Sequence, residues 1–90
     1  MPLLLVTYDL RAEGQDYSPL FNAIKNSSLE WWHYLTNTWL IRTNSDANAV
    51  GLHLIKFITR NDSILVIEVT GIGQGWLPKE AWDWIRARSG

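Results

Sequence analysis

The sequence predicts an α+β fold: a four-stranded antiparallel sheet, two helices packed on it and a third helix at the C-terminus. Three observations carry this expectation. Short β-branched and aromatic runs alternate with segments of helical apolar spacing, in the order β-α-β-β-α-β-α. Ninety residues, 47% hydrophobic and 19% charged, suit one domain over residues 1–90; they are too few for a two-domain enzyme and too apolar for a disordered chain. The chain has no cysteine, which excludes disulfides and thiolate chemistry, fits a reducing compartment and leaves stability to packing.

Leu3 to Asp9 is a short apolar run that reads as a buried first strand, followed by the polar break Arg11 to Asp16. The opening Pro2-Leu3-Leu4-Leu5-Val6 has neither the basic start and cleavage site of a leader nor the length of a membrane span, so a cytoplasmic protein without membrane contact is expected. Ser18 as N-cap and Pro19 at the first helical position open a helix to about Asn26, with Tyr17, Leu20, Phe21 and Ile24 as its apolar stripe. Trp31 to Leu35 and Thr38 to Thr43 then form a hairpin about Thr36-Asn37. Asn44-Ser45-Asp46 caps a second helix whose stripe is Ala47, Val50, Leu54 and Ile58, with Gly51 close to the sheet and Arg60-Asn61-Asp62 at its end. Ser63 to Thr70 is the last strand. After Gly71-Ile72-Gly73-Gln74-Gly75, a third helix runs from about Pro78 to Arg88 with Leu77, Ala81, Trp84 and Ile85 on one side. The order β-α-β-β-α-β with an added helix is the split pattern of ferredoxin-like domains.

Alternation along the strands separates two faces. Leu4, Val6 and Tyr8, with Trp39 and Ile41 and with Leu65, Ile67 and Val69, form the sets expected to meet the two main helices. Leu3, Leu5, Thr7, Asp9, Leu40, Arg42, Ile64, Val66 and Glu68 are expected on the opposite face, with Arg42 and Glu68 within reach of a structural ion pair. That face is too apolar for solvent. The third helix or a second copy of the chain should cover it, giving Leu3, Leu5, Leu40, Ile64, Val66 and Trp84 as interface residues.

Residues able to do chemistry are few. Asp9 ends the first strand, where a two-fold axis would bring two carboxylates together as oxygen ligands for Mg or Mn; capping a turn or pairing with Arg11 is the structural alternative. His33 and His53 have no third ligand at metal spacing, no serine lies in a Gly-x-Ser-x-Gly elbow, and the 71–75 glycines lack the Lys-Ser/Thr of a phosphate loop. A formal charge of −1 lends no support to nucleic-acid binding, which leaves the six tryptophans to packing and protein contacts. Of these, Trp84 is expected to be buried and Trp82 at least partly exposed.

Tyr8-Asp9 closing the first strand, Trp31-Trp32-His33-Tyr34-Leu35 with Thr38-Trp39-Leu40-Ile41, and Leu65 to Gly71 together resemble the SinR family of small bacterial proteins. The likeness spans nearly the whole chain. The resemblance implies a fold similar to that of the CRISPR-associated protein 2 and VapD superfamily, whose compact subunits dimerise and some of which are metal-dependent nucleases. On that likeness Asp9 matches the aspartate that binds a divalent ion near the dimer axis. Two functions follow as expectations. The first is a non-catalytic cytoplasmic homodimer acting as an interaction module without cofactor. The alternative is an Mg- or Mn-dependent endonuclease (phosphodiesterase) using Asp9 as catalytic and metal-binding residue.

Overall fold

The computed structural model describes residues 2–70 and 73–88. Along the chain lie β1 (Leu3–Asp9), α1 (Ser18–Asn26), β2 (Glu30–Leu35), β3 (Thr38–Arg42), α2 (Ala47–Leu54), β4 (Ser63–Glu68) and α3 (Lys79–Arg88), with a 3-10 turn at Ile55–Phe57. The four strands make one antiparallel sheet in the order β2-β3-β1-β4. β1 and β2 are thus parallel with β3 between them, and β3 and β4 are parallel with β1 between them. Parallel partners need a crossover, and α1 and α2 supply one each.

β1 is central because both its faces are apolar: Leu4, Val6 and Tyr8 point to one layer and Leu3 to the other, and all four are buried. The first layer is the main core, where α1 brings Leu20, Ala23 and Ile24 and α2 brings Val50 and Leu54 onto Leu4, Val6, Tyr8, Trp39 and Ile41. Trp39 lies at its centre, 2% exposed, with its Nε1 donating to the Tyr8 hydroxyl over 3.0 Å and the His33 ring stacked 3.9 Å away. On the opposite face α3 sets Ala81 against Leu3, Trp32 and Leu40, with Trp84, Leu77 and Ile85 around them.

The helix ends differ from the sequence reading in instructive ways. Ser18 is the first helical residue rather than the cap: Tyr17 occupies the cap position with no side-chain bond, and the Asp16 carboxylate accepts from the Ser18 amide at 2.9 Å. At the other end the hydroxyls of Ser27 and Ser28 donate to the carbonyls of Ala23 and Ile24, satisfying groups a helix end leaves open. Asp46 caps α2 as expected, accepting from Ala49 N at 2.7 Å. α2 stops at Leu54, earlier than Arg60, because the chain tightens into the 3-10 turn and is extended at Ile58, which still packs on the core.

Asp62 does more than end a helix. Its carboxylate accepts from Arg11 N, Thr59 N and the Tyr17 hydroxyl, each at 2.7 Å, so one side chain ties the exit of β1 to the entry of β4. Desolvation pushes its carboxyl upward, but these hydrogen bonds outweigh that and hold it well below the usual carboxylate range. A carboxyl depressed in the folded chain stabilises fully above its unfolded value of about 3.9, and that contribution is lost as pH falls through the folded value. Asp62→Asn is therefore expected to lower Tm by several degrees at neutral pH and to flatten the fall of Tm between about pH 5 and pH 2. Thermal scans across pH check it; parallel wild-type and variant curves would remove Asp62 from this role.

Candidate functional site

The face of the sheet away from α1 and α2 is divided in two by α3. Over β2, β3 and one end of β1 the helix lies on the sheet; over β4 it does not. Leu3 and Leu40 are buried under α3 of the same chain, at 6% and 7% exposure, so of the two covers expected for this face the third helix supplies this part. Trp84 belongs to this contact but is half-buried rather than buried, lying at the margin of the cluster with the Arg88 guanidinium 4.3 Å from its ring. Leu5 is half-buried at the edge of the same cluster.

β4 has the reverse of the expected facing. Directly opposed residues of an antiparallel pair share a face, and Val66 stands opposite Val6 while Ile64 stands opposite Tyr8. Ile64 and Val66 therefore pack on the main core, where Val66 also lies 3.9 Å from the position of a Cβ on Gly51. Leu65 and Ile67 are on the α3 side and remain 53% and 52% exposed. Both sets are apolar, so alternation alone assigns neither. Glu68 consequently stands opposite Leu4, on the face away from Arg42, and the expected Arg42–Glu68 pair does not form.

Arg42 pairs with Glu30 instead, at 2.9 Å, and Glu30 also accepts from Arg88 Nε at 2.6 Å. Glu30 thus joins β2, β3 and the end of α3. The hydrogen bond from Arg88 holds its carboxyl below the usual range, and the charge of Arg42 adds to this. An acidic residue at the head of an aromatic strand is the signal that sequence reasoning passed over.

Asp9 is exposed at the end of β1, its Oδ2 held by Arg11 through Nε at 2.8 Å and Nη2 at 2.6 Å. Within one chain it offers a divalent ion a single carboxylate already engaged by a guanidinium. Among the described residues no group of three His, Cys, Asp or Glu side chains is placed to hold a metal. His33 stacks on Trp39, and His53 is exposed with its ring edge-on to Phe57 at 5.3 Å.

No family model and no curated protein matches this chain. Its chemistry has to be taken from its own surfaces, of which two stand out. The first is the free edge of β4: beyond Leu65 and Ile67 on one side, the other side carries Leu52 and Ile55 of α2 and its turn, 58% and 49% exposed, around a hollow of about 300 Å³ floored by Ile64 and Val66. The second is a groove of about 770 Å³ between α3, the segment 73–77 and the sheet, walled by Leu5, Trp32, Leu40, Val69, Leu77 and Ile85 among others. Of the glycine run weighed as a phosphate loop, Gly71 and Ile72 lie outside the described residues, and Gly73, Gln74 and Gly75 line this groove. Trp82 lines it too and is half-buried, while Trp76, not singled out by the sequence, is fully exposed beside it. Trp32 Nε1 is buried without a hydrogen-bond partner among the described residues.

Among the described residues no helix is long and apolar enough to cross a membrane.

Proposed function

We propose that the protein is a non-catalytic interaction module of ferredoxin-like type that forms a homodimer through the β4 edge, in keeping with its resemblance to the SinR family. What supports the ferredoxin-like reading is the pair of split βαβ units that the order β2-β3-β1-β4 contains. What carries the dimer is the edge itself. β4 pairs only with β1, so one row of its amides and carbonyls faces outward, and exposed apolar side chains flank that row on both faces. An unprotected regular edge of this kind is a template for another strand. The opposite edge, β2, is interrupted by a register shift between Trp32 and Leu35, and such bulges discourage pairing. A second copy adding its own β4 antiparallel would cover Leu65 and Ile67 with their counterparts and bring the two α2 helices alongside.

This arrangement also bears on the nuclease alternative. Asp9 is opposite Ser63, at the end of β4, so a sheet continued across two β4 strands separates the two Asp9 residues by roughly 20 Å at ordinary strand spacings. A divalent ion held at 2.0–2.6 Å from each oxygen bridges no such gap.

Light scattering at micromolar concentration is expected to give twice the chain mass for the native protein, and one chain mass for Leu65→Lys/Ile67→Lys. Both residues are exposed, so the variant should keep the native far-UV spectrum. Leu40→Lys would be the wrong probe, because it damages the contact with α3 inside one chain. A native protein that stays monomeric, or a double variant that stays dimeric, overturns the proposal.

A further inference from the structure

We propose that the groove under α3 is a binding site for an amphipathic carboxylate, its hydrocarbon body lying against Leu5, Leu77 and Ile85 and its charged end on Arg86. The site is separate from the β4 edge. Its volume of about 770 Å³ falls within the range of ordinary small-molecule sites, about 300–1,000 Å³. The wall is mostly aliphatic and aromatic, with Thr38 and Gln74 as its uncharged polar side chains, and among the described residues that line it only Arg86 is charged. That combination selects a ligand with a long apolar surface and one negative end; a neutral hydrocarbon would leave the cation unused, and a cationic amphiphile would meet repulsion.

Arg86 is available for this. Its ion-pair partner among the described residues is Asp83, at 3.8 Å, too long for a hydrogen bond, whereas the pairs at Glu30 and Asp9 are at 2.9 Å or less. The guanidinium stands 5.8 Å from the Trp82 ring, which also lines the groove, so the cation is held at its mouth. A planar guanidinium can meet a carboxylate with two parallel N–H donors.

Calorimetric titration with dodecanoate, dodecanol and dodecyltrimethylammonium, each below its aggregation threshold, tests the proposal. Dodecanoate is expected to bind about tenfold or more tightly than the ammonium compound, a difference that one charge-assisted contact supplies. Arg86→Gln should remove the advantage of dodecanoate and leave dodecanol unchanged. Gly75→Leu should weaken dodecanoate and dodecanol alike, because a side chain there enters the groove; a Cβ at Gly75 would meet Trp82 at 3.7 Å, an ordinary contact, so the fold should tolerate it. No heat from dodecanoate up to about 1 mM, the weak limit of specific binding, overturns the proposal. Equal affinity of wild type and Arg86→Gln for dodecanoate also overturns it. Failure to bind combined with a change of oligomeric mass in Arg86→Gln would assign the groove to a second copy of the chain instead.

Discussion

Trp39→Ala is expected to cost about 3 to 5 kcal/mol of folding stability, the range for large aromatic truncations in cores. The residue is all but inaccessible, touches Phe21, Trp31 and His33 through its rings, and donates to Tyr8. Small domains have about 5–15 kcal/mol in all, so the variant should be largely unfolded at modest urea or on mild warming. Tyr8→Phe separates the hydrogen bond from the volume. It leaves the ring packed but strands the indole N–H in the core, and should cost about 1 to 3 kcal/mol. Burial also raises the Tyr8 hydroxyl pKa, so the phenol stays protonated and able to accept. Urea midpoints of the two variants decide the matter; a loss near 1 kcal/mol for Trp39→Ala would mean that the main core is held elsewhere.

The second large effect is expected at Ala81, which is wholly buried where α3 meets Leu3, Trp32 and Leu40. Ala81→Asp puts a carboxylate into that contact with no partner for it, at a cost of several kcal/mol if the helix stays docked. α3 has ten residues, too few to be stable alone, and no strand of the sheet depends on it for pairing, so it can release while the rest stays folded. The penalty is then limited to the free energy of docking. Trypsin should cut the variant rapidly at Lys79, Arg86 and Arg88, and tryptophan emission should shift red as Trp32 and Trp84 meet water. Ala81→Gly, which costs about 1 kcal/mol through helix propensity alone, should remain docked. Unchanged trypsin resistance in Ala81→Asp would mean that α3 is not held by this contact.

Much of this architecture is legible in the residues. The elements follow from periodicity, and the stripe Leu77, Ala81, Trp84 and Ile85 says that the last helix must dock, though not whether on its own sheet or on a second copy. The faces of β1 and β3 follow from alternation, because Thr7, Asp9 and Arg42 mark the side away from the main core. β4 defeats the same logic. Ile64, Leu65, Val66 and Ile67 are all apolar, so only its register against β1 fixes which pair faces the helices, and that register is not written in β4 itself. The consequence for the candidate site is direct: Ile64 and Val66 go inside, and Leu65 and Ile67 become the exposed pair. The groove was also illegible, since it depends on how α3 tilts across the sheet and not on which residues its stripe contains. Long-range polar partners escape for the same reason. Nothing local to Glu30 says that Arg88 will reach it, and nothing local to Asp62 names Tyr17.

The central position of β1 sets an order of events at synthesis. Its neighbours on the two sides, β3 and β4, both follow it in the chain, so β1 cannot complete its hydrogen bonding until the sequence as far as Glu68 has been made. Until then Leu3, Leu4, Leu5 and Val6 form an exposed apolar run with open strand edges, the kind of segment that nascent-chain chaperones engage. Pairings so distant in sequence also make this domain a slower folder than a helical bundle of its size. Slow synthesis of the C-terminal part would lengthen that exposure, whereas fast synthesis through β4 would end it.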